Sequence, residues 1–150
     1  MKSIAYVLLA MLLTAAAAIG QKDPRVAEAR KLFADGGEDT SHRASRLCLE
    51  ANNEEAAELM LEVLGSTGMG PGLAAGHYRD IVWDQMIHIT DPYARALIEH
   101  ELKTNKDNPW LRAWCAQLLG IYGEQDFAET LAKALRDKDG GVRRSKWRRI

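Results

Sequence analysis

The stretch GSTGMGPGLAAG, residues 65–76, is the part of this sequence whose composition comes nearest to a chemical device. Glycine-rich turns ahead of a helix expose backbone amides that cradle phosphate. The rest of that device is missing. No strand pattern precedes the stretch, the Gly-x-Gly-x-x-Gly spacing does not occur in it, and no Lys-Ser or Lys-Thr follows its last glycine. It reads as a connection between helices, longer than the usual helix-to-helix turn, which leaves it a possible contact role.

Metal chemistry is the next class to weigh. His42, His77, His88 and His100 have Asp91, Glu99 and Glu101 as carboxylates at hand, but no pair of histidines has the i, i+4 spacing of a His-Glu-x-x-His helix, and no His-Cys cluster occurs. Single surface histidines are the expectation. No nucleophile and base pair up by motif either, so no catalytic residue, metal site or cofactor is expected.

The elements that must carry any function are helices. Asp23-Pro24, Asp91-Pro92 and Asn108-Pro109 each place a capping oxygen before a proline, which loses no hydrogen bond at the first helical position. Gly36-Gly37, Gly65 and Gly123 supply stops, because glycine enters the left-handed conformation cheaply. Between them the apolar spacing is helical: Leu59, Met60, Val63 and Leu64; Leu97, Ile98 and Leu102; Phe127, Leu131 and Leu135. No segment alternates with period two. The expected fold class is all-α.

The helices also repeat. Arg43, Arg79, Arg112 and Arg143 each stand near the start of a helix that follows a polar turn, at intervals of 36, 33 and 31 residues, which is a solenoid period of two helices per unit. A tetratricopeptide or Sel1-like array, prompted by AEARKLFADG at residues 27–36, would keep a near-constant period, and this spacing does not.

The stretch LRAWCAQLLGIYGEQDFAETLAKALRDKDGGVRR, residues 111–144, resembles a HEAT repeat of the kind found in phycobiliprotein lyases and bacterial adaptor proteins. An arginine opens the first helix (Arg112), small residues follow (Ala113, Cys115, Ala116), and Leu119-Gly120 stand near its end. A turn comes at Gly123, then a second helix with Leu131 and Leu135, then Asp137 and Asp139 before Val142-Arg143. Before Leu111 only the arginine period and the helix lengths persist. The resemblance implies a right-handed α-α superhelix of antiparallel helix pairs, about three and a half units behind one N-terminal helix. Where the family continues with alanines and leucines, this chain has SKWRRI and ends inside the first helix, so its last unit is incomplete.

The resemblance further implies an inter-repeat ladder of exposed pairs, Asp107 with Arg112 and Asp137 or Asp139 with Arg143. It also makes the second helices the binding face: Glu55, Glu58 and Glu62 as an acidic stripe, then Arg95 and Glu99, then Glu129 and Lys133. Trp83, Trp110, Trp114 and Trp147 fall near the starts of first helices, where aromatics pack between units. Trp110 precedes its helix core and is the expected exposed anchor. The repeat register sets Cys48 and Cys115 two units apart, well beyond the ~7 Å a disulfide allows between Cα atoms, so two buried free thiols are predicted.

At the N-terminus, Lys2, the apolar run IAYVLLAMLL and the small residues of TAAAAIG have the plan of a signal peptide, residues 1–20, cut after Ala18 or Gly20. The apolar run is short for the roughly 20 residues of a spanning helix. Residues 21–150 are then the repeat domain, periplasmic or extracellular and without stable membrane insertion. The formal net charge is -1, but eight basic residues from Lys133 onward face only Asp137 and Asp139, while residues 21–132 hold 11 basic and 19 acidic ones. That basic end carries no nucleic-acid-binding motif. The expected function is a non-enzymatic scaffold for a protein partner of unspecified identity. The alternatives are a lyase-type enzyme, as the family includes, or a fragment of a longer repeat protein.

Overall fold

In a computed structural model of the chain, residues 22–66 and 78–144 are described. They form eight α-helices and no strand: α1 (Pro24–Asp35), α2 (Glu38–Ala51), α3 (Glu54–Gly65), α4 (Arg79–Met86), α5 (Pro92–Thr104), α6 (Pro109–Tyr122), α7 (Ala128–Ala134) and α8 (Gly140–Arg144). A 3-10 turn at Gln125–Phe127 leads into α7.

The punctuation of the sequence acts as its chemistry requires. The side chains of Asp23, Asp91 and Asn108 accept hydrogen bonds from the backbone amides of Arg25, Ala94 and Leu111, and a proline opens each helix. Gly36 (φ 70°) and Gly123 (φ 66°) end α1 and α6 in the left-handed conformation. Gly65 stops α3 for a different reason. The backbone after it is extended at Ser66, and a Cβ on Gly65 would stand 3.2 Å from Leu111 Cδ2, so glycine here lets α6 approach closely. Asn108 fixes that approach by donating to the carbonyl of Gly65 at 2.8 Å. Asn52 (φ 43°) takes the left-handed position at the end of α2.

Most helices pack against their neighbour in sequence or against the helix two further on, and α3 also touches α6. The pairs α1·α2, α3·α4, α5·α6 and α6·α7 are joined by α1·α3, α2·α4, α3·α5, α5·α7 and α6·α8. Even-numbered helices therefore form one layer and odd-numbered helices the other, the stacking pattern of an α-solenoid. Between α4 and α6 the contact is aromatic, Trp83 against Trp114 at 5.7 Å between ring centroids, and the Tyr122 hydroxyl donates to the carbonyl of Met86 at 2.7 Å.

The core follows the layers. α3 buries Ala56, Ala57, Leu59, Met60, Leu61, Val63 and Leu64, apolar nearly all round because α1, α2, α4, α5 and α6 all touch it. α6 is as deeply held, with Leu111, Cys115, Ala116, Leu118 and Leu119 buried. Full burial of side chains such as Phe33, Leu59 and Ile98 stabilises by about 1.5–3 kcal/mol each. The expected row Phe127, Leu131, Leu135 is only partly realised. Phe127 is buried and Leu131 packs against the core, but α7 ends at Ala134 and Leu135 is 40% exposed.

The arginine period does not hold as a structural register. Arg43 is the sixth residue of α2, Arg79 opens α4, and Arg112 and Arg143 are each the fourth residue of their helices. The common register is instead Arg95, Arg112 and Arg143, each four residues after the residue that caps its helix. From there a side chain leans back toward the helix start. Arg95 donates to the carbonyl of Ile89, Arg112 to those of Asn105 and Lys106, and Arg143 to those of Asp137 and Lys138.

Candidate functional site

Two of the three carboxylates of the acidic stripe expected on α3 have partners on or just before α1. Glu55 accepts the backbone amide of Asp23 at 3.0 Å, and Glu62 pairs with Arg30 at 2.8 Å, so both tie α3 to α1. Glu58 alone of the three is left exposed without such a contact among the described residues. Helical spacing put the three carboxylates on one face, as read from the sequence. It did not show that α1 lies against two of them.

The other charged residues of the second helices are engaged in the same way. Arg95 grips the carbonyl of Ile89, pairs with Glu124 and lies over the Tyr122 ring, 4.4 Å from its centroid. Glu99 accepts from Lys103 and from the Thr130 hydroxyl of α7. Burial works to raise the Glu99 pKa, but those two hydrogen bonds outweigh it and hold the carboxyl below its ordinary value. Glu129 and Lys133 pair one turn apart on the exposed side of α7.

The ladder takes another form from the expected one. Arg112 binds Asp137, with Nε to Oδ2 at 3.1 Å and Nη2 to Oδ1 at 2.9 Å, while Asp107 lies exposed. The reason is direction. The Arg112 side chain leans back over the turn before α6, where the next turn, before α8, presents Asp137. The Arg112 side chain is 5% exposed and that of Asp137 17%, so this is a largely buried, bidentate pair and not the surface rung the resemblance implied. Burial tends to raise the Asp137 pKa, but Arg112 and the amide of Asp139 outweigh that and hold the carboxyl below its ordinary value. Arg143 meets Asp137 through its backbone carbonyl, and Asp139 caps α8 by accepting from the amides of Gly141 and Val142.

Cys48 and Cys115 are free and buried. Desolvation pushes the Cys48 thiol up to about 12 and raises Cys115 as well, so both are protonated packing groups at neutral pH. His42, His88 and His100 are exposed, and no three metal-ligating side chains converge among the described residues. His77, Trp147 and most of the glycine-rich stretch lie outside the described residues, as does the signal-type segment 1–20.

Among the described residues two aromatic rings remain on the surface. Tyr93 and Trp110 are each 73% exposed, and each is the second residue of its helix, directly after the opening proline. Trp110 was expected there. Tyr93 was missed, although its position after Asp91-Pro92 matches that of Trp110 after Asn108-Pro109.

Compared with protein-family models, with characterised proteins and with solved structures, the chain matches none. Among the described residues no helix is long and apolar enough to cross a membrane.

Proposed function

We propose that this chain is an exported, non-catalytic helical scaffold of the HEAT-like type that binds a protein partner. The stacking of helices two apart in the sequence carries the reading, because such a stack buries its core between units and leaves an extended surface for recognition. Support for the binding role comes from Tyr93 and Trp110, large rings that are held in water at helix starts and are the residue types that dominate protein interfaces. Export rests on the signal-type plan of residues 1–20, and the two protonated, buried thiols suit an oxidising compartment in which reactive thiols would cross-link.

The structure also changes how the reading is tested. Reversing the charge of Glu55, Glu58 and Glu62 would loosen α1, since two of the three hold it. The double variant Tyr93→Ala/Trp110→Ala alters only exposed rings. Tagged full chain is recovered from the extracytoplasmic fraction, its N-terminus is sequenced, and its co-purifying proteins are compared between wild type and double variant. A chain beginning near residue 19 or 21, with a stoichiometric partner lost in the variant, is the expected result. An intact N-terminus overturns export, and a partner list unaffected by the variant overturns the aromatic binding face.

A further inference from the structure

The turns that precede α6 and α8 enclose an open groove of about 370 Å³ lined by Lys106, Pro109, Arg112, Lys138 and Asp139. Its acidic and guanidinium groups have partners within the fold. Arg112 is held by Asp137 and two carbonyls, and Asp139 accepts two amides at the start of α8. Its two ammonium groups form no hydrogen bond or salt bridge among the described residues, although the charge of Lys138 helps to hold Asp137 ionised. Lys106 and Lys138 are exposed, and among the described residues neither forms an ion pair, whereas Lys103 and Lys133 each lie against a glutamate one turn away. Arg136, Arg143 and Arg144 stand exposed on the adjoining turn and helix, against one exposed carboxylate at Asp107 and the partnered Asp137 and Asp139, so the balance of charge around the two lysines is positive.

We propose that this groove binds an acidic segment of a partner protein, with one or two carboxylate side chains seated between Lys106 and Lys138. The proposal rests on the scaffold reading and names its partner's chemistry. Ammonium groups on flexible stems offer three donors each and adapt to carboxylates arriving in varied geometry. The volume is at the low end of the ~300–1,000 Å³ of small-molecule sites, room for a side chain or two. Pro109 gives an apolar wall for the methylenes of a glutamate. Among the described residues the lining holds no aromatic ring on which a base would stack, which favours a peptide over a single-stranded nucleic acid.

The test is a fluorescence-anisotropy titration of full chain against a labelled hexapeptide of glutamates and glycines, beside the same peptide with glutamines, at low and moderate salt. Lys106→Gln/Lys138→Gln is compared with Lys22→Gln/Lys31→Gln, which removes the same charge from exposed positions on and before α1. Circular dichroism and the urea midpoint establish that both variants fold. Expected are binding of the acidic peptide alone and about tenfold weakening in the groove variant, the size of two partly exposed ion pairs, with less than twofold change in the control. Equal weakening in both variants, no binding of the acidic peptide, or tighter binding of a hexanucleotide than of the peptide overturns the groove. Concentration-dependent self-association that Lys106→Gln/Lys138→Gln abolishes would replace the peptide by a second copy of the chain. A cellular partner lost with Tyr93 and Trp110 but kept by the groove variant refutes this proposal and leaves the scaffold standing. Peptide binding without any cellular partner does the reverse.

Discussion

Removing the guanidinium of Arg112 tests how this stack is joined. Arg112→Met keeps most of the buried stem and deletes four donated hydrogen bonds, two to Asp137 and one each to the carbonyls of Asn105 and Lys106. Breaking a buried pair from one side costs about 3–5 kcal/mol, mostly by stranding the other charge. Asp137 retains the amide of Asp139 and is 17% exposed, which places the loss near the lower end, about 3 kcal/mol. With a urea dependence of roughly 2 kcal/mol/M, the midpoint followed by far-UV circular dichroism falls by about 1.5 M. Asp137→Asn in the Arg112→Met background then costs little, because no stranded carboxylate remains. The pH dependence has a definite sign. The folded pKa of Asp137 is depressed, so its contribution is fully present above the unfolded value near ~3.9 and is lost as pH falls through the folded value. The gap between wild type and Asp137→Asn therefore closes on acidification. A midpoint drop under about 0.5 M, or a gap that persists unchanged in acid, refutes the reasoning that the pair is buried and ionic.

Three further outcomes follow from single contacts. Neither Cys48 nor Cys115 should react with an aromatic disulfide reagent at pH 8 in the native chain, and both should react in urea; one fast native thiol would contradict their burial. Asn52 takes the left-handed conformation and its side chain bonds Thr90 and Asp91, joining the α2–α3 turn to the α4–α5 turn. Asn52→Ala is expected to lose about 2 kcal/mol, and Asn52→Gly less, because glycine relieves the backbone but not the lost bonds; equal losses in urea unfolding would discount the backbone share. Tyr122→Phe removes the hydrogen bond to Met86 and keeps the ring under Arg95, for a loss of about 1 kcal/mol, while Tyr122→Leu removes both and should cost clearly more in the same assay.

The local part of this architecture was legible because it is encoded within a few residues. Asp23, Asp91 and Asn108 cap the helices they precede, and the apolar rows of α3 and α5 face the core, since a cap or a helical row depends only on near neighbours. What was not legible involved elements that meet across space. Glu55 and Glu62 look identical to solvated charges until α1 is laid beside them. Gly65 looks like a left-handed stop until Leu111 is seen against it. The arginine period was counted in residues along the chain, and counting could not tell that Arg43 sits mid-helix with Glu28 while Arg112 sits one turn into its helix beneath Asp137.

The register that did prove structural has a physical origin. One turn past the cap, a long side chain points back over the preceding turn, whose own carbonyls lie outside either helix and lack helical partners. An arginine there satisfies them from a neighbouring element, and Arg95, Arg112 and Arg143 all do so. The same geometry decides where charge remains available for recognition. Asp137 and Asp139 are occupied by a guanidinium and by helix amides, and the glutamates of α3, α5 and α7 mostly by cations or amides of neighbouring residues. The lysines on the turns, Lys106 and Lys138, are exposed and form no salt bridge among the described residues. The proposed acidic segment is therefore expected at the turn edge of the even-numbered layer, and not on the odd-numbered helices, whose glutamates mostly have partners within the fold.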